Sequence, residues 1–427
     1  MSSSPLSQMG RRIQEPAISW LMRLTLSRPN LSSLAAGFTD NPSLPVRETR
    51  RLAEAILSKA STGRAALQYG STAGDPTLRE LTSSHLMAED SAALSKPAKR
   101  GAYSTGRMLI THGSQQLLYI TTESLCDEGD IVLVEDPTYF VFLSILQSRG
   151  VRTRGIRLEK DGIDLSHLEE VLESLRESGE IRRLKMLYLV TYFQNPSSVT
   201  TSFEKKRAAL ALLSRYEKHA GHPLYLLEDA AYRELRFEGA DEASALCAPE
   251  GPERVIYAGT YSKPFATGAR VGFGLLPEPL HTACLRIKGN HDFGTANLLQ
   301  QLLAAALKSG DYASHLPHLR ARYARKARAM AAAAIEHFPK CIEWDPPRGG
   351  LYIWALGPKS LNTGMKSAFF KQALRAGVLY VPGELCFARD LSRRPSKSAL
   401  RLSFGGAEAS VIRCGMERLG CLLKKCQ

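Results

Sequence analysis

The chain has 427 residues, 44% of them hydrophobic and 23% charged, and carries a formal net charge of +14. That is ordinary globular composition, with length enough for a large core and two domains; no run of about 18 apolar residues suggests a membrane span. The basic residues are spread out rather than gathered beside a recognition helix, which argues against nucleic-acid binding and for a general attraction of small anions.

The N-terminal stretch MSSSPLSQMGRRIQEP has no apolar core, so it is not a secretory signal; its serines and paired arginines give it a faint likeness to a transit segment. Eight cysteines are scattered with no CxxC pair, as expected of reduced thiols in the cytoplasm with no zinc site. Residues 1–45 form an arm ending in the turn residues GFTDNPSLP, and VRETRRLAEAILSKA then has helical periodicity. Beyond it, short β-rich runs alternate with helical ones. RMLITH, DIVLVED, KMLYLVTY, PLYLLED, RVIYAGT and RVGFGLL are the strand candidates; GSQQLLYITTESL and EKKRAALALLSRYEKHA are helices between them. Such alternation predicts an α/β domain over 46–300, with a mainly parallel sheet covered by helices on both faces. Over 301–427 the pattern changes to Ala-rich helices, then PPRGGLYIWAL and ALRLSFGG, which predict a smaller α+β domain.

Unusual polar residues fall just after the strand candidates: GSQQ, PTY, FQNPSS, AAY and YSK. Ligands of open α/β sheets bind at the carboxyl ends of strands, so these ends converge on one site. Gly113-Ser114 at a helix start offers N–H groups and a hydroxyl to a phosphate. Thr260, Ser262 and Arg270 add donors and a positive charge for the same group. Tyr139 offers a flat face to an aromatic ring. Asp229, on an apolar strand, needs a cation such as a protonated ring nitrogen. Lys263, in GTYSKPFATGARVGF, supplies an amine for a Schiff base. Phosphate, ring, ring nitrogen and aldehyde together describe pyridoxal 5′-phosphate. Taken singly each residue has a plainer reading: Lys263 as a surface charge, Asp229 and Ser114 as helix caps, Tyr139 as a packing aromatic, Tyr69 as a turn residue.

The pieces SLAAGFTDNPSLP, LQYGSTAGDPTLRE, THGSQQ, EDPTYF, QNPSS, EDAAYREL, TYSKPFATGARVG, RGGLYIW and ALRLSF, in that order, span about residues 30–410. They resemble the class I/II aminotransferases of fold type I, particularly the 2-aminoadipate and kynurenine aminotransferases. The resemblance implies roles position by position. Lys263 is the Schiff-base lysine and proton carrier, and Asp229 the partner of the pyridine nitrogen. Asn195 and Tyr232 meet the phenolic oxygen, while Tyr139 stacks on the ring. Ser114, Gln115, Thr260, Ser262 and Arg270 hold the phosphate. Arg401 grips the substrate α-carboxylate, with Asn195 beside it and Gly37 letting the backbone approach. Tyr69 reaches the phosphate of a neighbouring subunit in a homodimer.

There are departures from the family pattern. Ala36-Gly37 stands for a glycine pair, Ser198 for the glycine of NPxG, and Thr267 for a common proline. The implied activity is ping-pong transfer of an amino group from an L-amino acid to a 2-oxo acid. A C–S lyase or synthase on the same fold is the alternative. A transcription regulator is disfavoured because fewer than about 45 residues precede the fold, too few for a further DNA-binding module. Arg23 or Arg28 could read a second carboxylate, and Trp20, Phe38 and Tyr139 could equally line an apolar pocket.

Overall fold

A computed structural model describes residues 5–28, 30–390 and 395–426, so the first four residues of the transit-like stretch lie outside it. Strands are numbered along the chain: β1 Ser32–Ser33, β2 Met108–Thr111, β3 Ile131–Asp136, β4 Arg152–Glu159, β5 Gly162–Ile163, β6 Leu184–Val190, β7 Tyr225–Asp229, β8 Val255–Thr260, β9 Gly272–Leu275, β10 Glu343–Trp344, β11 Tyr352–Leu356, β12 Val378–Leu379, β13 Val381–Pro382 and β14 Ala399–Ser403. Eight of them form one sheet in the order β2-β9-β8-β7-β6-β3-β4-β5. From β8 through β7, β6 and β3 to β4 every pair is parallel. β9 runs antiparallel to both its neighbours, and β5 is antiparallel at the far edge.

Every residue of β2, β3, β7 and β8 is buried. Strands covered on both faces have no solvent side, which is why they read as unbroken apolar runs. β4 escapes sequence reading because RTRGIRLE is rich in charge; Arg152, Arg157 and Glu159 face solvent. The covering helices start on side-chain caps where the sequence supplies them: Asp164 accepts from His167 N, and Ser202 from Lys205 N. Among the described residues no helix is long and apolar enough to cross a membrane.

A second sheet, β10-β11-β14-β13, is antiparallel throughout. The N-terminal arm belongs with it in space, since β1 pairs in parallel with β12 and Ser403 N donates to Leu34 O at 2.6 Å. After that strand the arm runs between the two sheets. Thr39 Oγ1 lies 2.6 Å from Thr267 Oγ1, on the loop after Lys263. Asp40 is buried against the 27-residue helix Asp311–His337, accepting from Arg322 Nε and Lys326 Nζ at 2.5 Å each. Lys326, itself buried, also donates to Gly405 O.

Burial pushes the Asp40 carboxyl up, but hydrogen bonds from Arg322, Lys326 and Ser43 outweigh it and hold the group at about 2. A depressed folded-state pKa stabilises above the ordinary value of 3.8, and that contribution is lost as pH falls through about 2. Asp40→Asn leaves Lys326 buried without its counter-charge. Breaking a buried pair in this way costs about 3–5 kcal/mol, to be read as a lower urea midpoint at pH 7 that converges on the parent protein as the pH approaches 2.

Candidate active site

Ser114, Gln115, Tyr139, Asn195, Asp229, Tyr232, Thr260, Ser262, Lys263 and Arg270 all line one cavity of about 180 Å³. They come from the ends of β2, β3, β6, β7 and β8, which the sheet topology places along one edge. Gly37 and Arg401 stand directly behind this lining. Lys263 Nζ donates to Gly37 O at 2.8 Å, and Arg401 donates to Asn195 Oδ1 at 2.8 Å. Tyr69 is apart from the cavity and 81% exposed, with its ring edge-on to Phe293 at 5.2 Å.

Lys263 sits on a turn that closes on itself: Tyr261 N donates to Val271 O, and Thr267 Oγ1 to Ser262 O. The side chain is half-buried. Burial lowers its ammonium, and the neighbouring charges of Arg401 and Arg270 lower it further, to about 8. At the other end of the turn Arg270 adopts a left-handed backbone (φ +51°) and donates to Ser262 Oγ at 3.2 Å. There the helix Gly113–Leu125 begins with no side-chain cap, leaving its first N–H groups open to an anion. Ser114 is therefore inside the helix rather than its cap. A Cβ at Gly272 would fall 2.4 Å from Ser114 N, so this strand and the helix start meet only because that residue is glycine.

Asp229 is buried at the end of β7. Tyr188 Oη donates to its Oδ2 at 2.9 Å and Ala231 N to its Oδ1 at 3.1 Å. Burial nonetheless prevails and pushes the carboxyl up to about 6. Such a group gains most from a cation placed against it. Opposite, Tyr232 Oη lies 3.1 Å from Tyr352 Oη and 3.4 Å from Asn195 Nδ2. Arg401 is 1% exposed, its second amino group donating to Ala35 O at 2.6 Å. Its Nε has no partner, and no carboxylate among the described residues pairs with it.

Several residues in the site's support were not foreseen. Tyr188 and Tyr352 lie within apolar strands, where a tyrosine looks like packing. Buried Glu135 accepts from Val190 N and Gln194 Nε2 and so braces the segment that carries Asn195. Burial raises its carboxyl to about 8 against those two donors. Its only sequence signal is an acid inside DIVLVED. Ser198, standing where NPxG has glycine, has φ +64° and donates to Tyr352 O at 2.6 Å. Among the described residues neither Arg23 nor Arg28 lines this cavity: Arg23 is exposed and paired with Glu15, Arg28 is exposed, and Trp20 packs on Phe370 at 5.9 Å. Behind Thr260, His85 is hydrogen-bonded to Glu234 at 2.7 Å and lies 3.8 Å from Glu89.

The site thus gathers Lys263, Arg270 and Arg401 around a single buried carboxylate facing the cavity, Asp229. Its unmet needs are two anions and one cation. Pyridoxal phosphate answers two of them, with a phosphate for Arg270 and the open helix start and a protonated ring nitrogen for Asp229. The third, at Arg401, is the kind of need a carboxylate would meet. The residues present therefore fit the group.

Comparison with known proteins agrees. The sequence pattern of the family "Aminotransferase class I and II" matches residues 31–419, and the chain belongs to that family. It is 33% identical to the 2-aminoadipate transaminase of Thermus thermophilus over 97% of this chain and 95% of that one. It is 31% identical to aromatic-amino-acid aminotransferase 1 of Thermococcus litoralis, over 92% and 88%. The crystal structure of Thermus thermophilus LysN, an alpha-aminoadipate aminotransferase complexed with N-(5′-phosphopyridoxyl)-L-leucine, superposes with a TM-score of 0.82 at 30% identity, covering 99% and 97%. The protein is a pyridoxal-phosphate-dependent transaminase of fold type I.

The lowered lysine has a kinetic consequence. An amine must be neutral to attack an aldehyde, and below its pKa the neutral fraction grows about tenfold per pH unit. Recapture of pyridoxal phosphate by the apoprotein is expected to accelerate up to about pH 8 and then level off. Stopped-flow absorbance measures this; a rate still climbing steeply above about pH 9, as for an ordinary lysine, contradicts the environment described.

Proposed function

We propose that Lys263 is the lysine that holds the cofactor and carries the proton during transamination, and that Arg401 reads the α-carboxylate of both amino and oxo acid. The observation that carries this is that Lys263, Arg270, Asp229 and Asn195 line one cavity, with Arg401 donating to Asn195 at 2.8 Å. When bound, pyridoxal phosphate supplies an aldehyde carbon and an electron-withdrawing ring. Asp229 would keep the ring nitrogen protonated, with Tyr188 orienting Asp229. Tyr139 would lie against the ring. Asn195 and Tyr232 would meet the phenolic oxygen. Ser114, Gln115, Thr260, Ser262 and Arg270 would hold the phosphate, leaving Lys263 free to move. Arg401, steadied by Asn195 and Ala35 O, orients the amino acid so that its Cα hydrogen faces Lys263. Lys263 Nζ removes that proton as a base and returns it one position along, which is what separates transfer from elimination.

With an amino donor and no oxo acid, the enzyme is expected to release about one oxo acid per active site and stop, as a two-stage reaction requires. Cofactor absorbance should change in step and recover when 2-oxoglutarate is added. Sustained release of ammonia or a thiol from one substrate would mean a lyase instead; the named relatives are transaminases, which favours the first outcome.

We also infer a homodimer in which Tyr69 serves the partner's phosphate. Tyr69, Leu67 and Phe293 are 81%, 72% and 59% exposed, an apolar group that water covers poorly. Asn297 Nδ2, donating to Ala65 O and Gln68 O, holds the segment in place. Residues 1–45 and 301–427 then act as one smaller domain against 46–300, as the pairing of β1 with β12 suggests. Sedimentation velocity should show a dimer, and Tyr69→Phe should weaken cofactor retention; a fully active monomer sinks the inference.

A further inference from the structure

We propose that Tyr352 is a positioning residue that couples the carboxylate-reading arginine to the group meeting the cofactor's phenolic oxygen. This rests on the reading of Lys263, Tyr232 and Arg401 given above and extends it to a residue outside the cavity lining.

Tyr352 is 1% exposed at the start of β11. Its ring lies under the Arg401 guanidinium, 4.4 Å from Cζ to the ring centre. Its hydroxyl is 3.1 Å from Tyr232 Oη, and 2.6 Å from where a Cβ on Gly37 would stand. Its carbonyl accepts from Ser198 Oγ, three residues past Asn195. One side chain therefore touches the arginine, the tyrosine and the arm segment whose carbonyl holds Lys263.

The direction of the Tyr352–Tyr232 hydrogen bond follows from the neighbours. Asn195 Oδ1 is taken by Arg401, so Asn195 presents Nδ2, a donor, to Tyr232. If Tyr232 is to donate its proton to the phenolic oxygen, its own oxygen accepts, and Tyr352 Oη is the donor at 3.1 Å. A hydroxyl that accepts a hydrogen bond is a stronger donor. Tyr352 thus strengthens the hold of Tyr232 on the phenolic oxygen. That draws negative charge from the oxygen and loosens its grip on the proton it shares with the Lys263 nitrogen. The ring does separate work: it gives the buried guanidinium a face to lie on where no carboxylate is present.

The two jobs can be pulled apart in holoenzyme. Tyr352→Phe keeps the ring and removes the hydroxyl. The pH-dependent transition of cofactor absorbance should move up by about 0.5–1 pH unit, the scale of one hydrogen bond, with KM for the amino donor unchanged. Tyr352→Leu removes both, and KM should rise about tenfold as well, the scale of a buried cation–ring contact. In Tyr232→Phe the transition should already be shifted, and adding Tyr352→Phe should move it no further. An unshifted transition in Tyr352→Phe, additive shifts in the double variant, or equal KM increases in the Phe and Leu variants each overturn the proposal. Lys263→Ala separates the two readings: if it retains the same titrating absorbance, the assignment of Lys263 fails, and the Tyr352 proposal with it.

Discussion

Arg401 carries a permanent charge into the interior, where among the described residues no carboxylate pairs with it, and much of the site is arranged around that fact. An isolated buried charge costs far more than one pair of hydrogen bonds returns. The chain answers with Asn195 Oδ1, the carbonyl of Ala35 and two aromatic faces, Tyr352 at 4.4 Å and Phe140 at 5.3 Å. These steady the guanidinium without neutralising it. Its Nε remains unpartnered. A carboxylate meeting this group would find a fork already in place, with little orientation left to lose on binding.

The same unneutralised charge acts on Lys263. Burial, Arg401 and Arg270 push one way, making the amine easier to have neutral near physiological pH. Burial of Asp229 pushes its carboxyl upward, to about 6, so that it too sits near the working range. An amine and a carboxylate both shifted toward neutrality in one cavity are the kind of pair that acid–base chemistry uses. An anion beside Lys263 and a cation beside Asp229 would each oppose the corresponding shift.

Much of this was legible in the sequence because parallel strands buried on both faces end abruptly in polar residues. The ends of RMLITH, DIVLVED, KMLYLVTY, PLYLLED and RVIYAGT stood out against apolar runs, and the structure brings their polar residues to one cavity. What could not be read was the support behind them. Tyr188 and Tyr352 are strand tyrosines whose hydroxyls matter only through a partner far along the chain, Asp229 or Tyr232. Glu135 braces Gln194 across 59 residues of sequence. β4 was hidden by its own arginines. Ser198 looked like a loss of glycine; its left-handed backbone accounts for the usual glycine, and its hydroxyl bonds to the Tyr352 carbonyl, a contact that glycine cannot make.

The arm is the element that makes two sheets into one site. Within six residues it places Ala35 O on Arg401, Gly37 O on Lys263, Thr39 on the lysine loop and Asp40 on Arg322 and Lys326. Arg401 and Tyr352 belong to the second sheet and Asp229 to the central one, with Lys263 on the turn that follows β8. The arm's backbone carbonyls thus touch both Arg401 and Lys263 directly. The buried Asp40 cluster fixes the arm at one end, and the β1–β12 pairing fixes it at the other. Between those anchors Gly37 has no side chain because Tyr352 Oη occupies the space one would need. Arg401, Lys263 and the Tyr232–Tyr352 hydroxyl pair are thereby held to one another by a short stretch of chain, chiefly through its backbone.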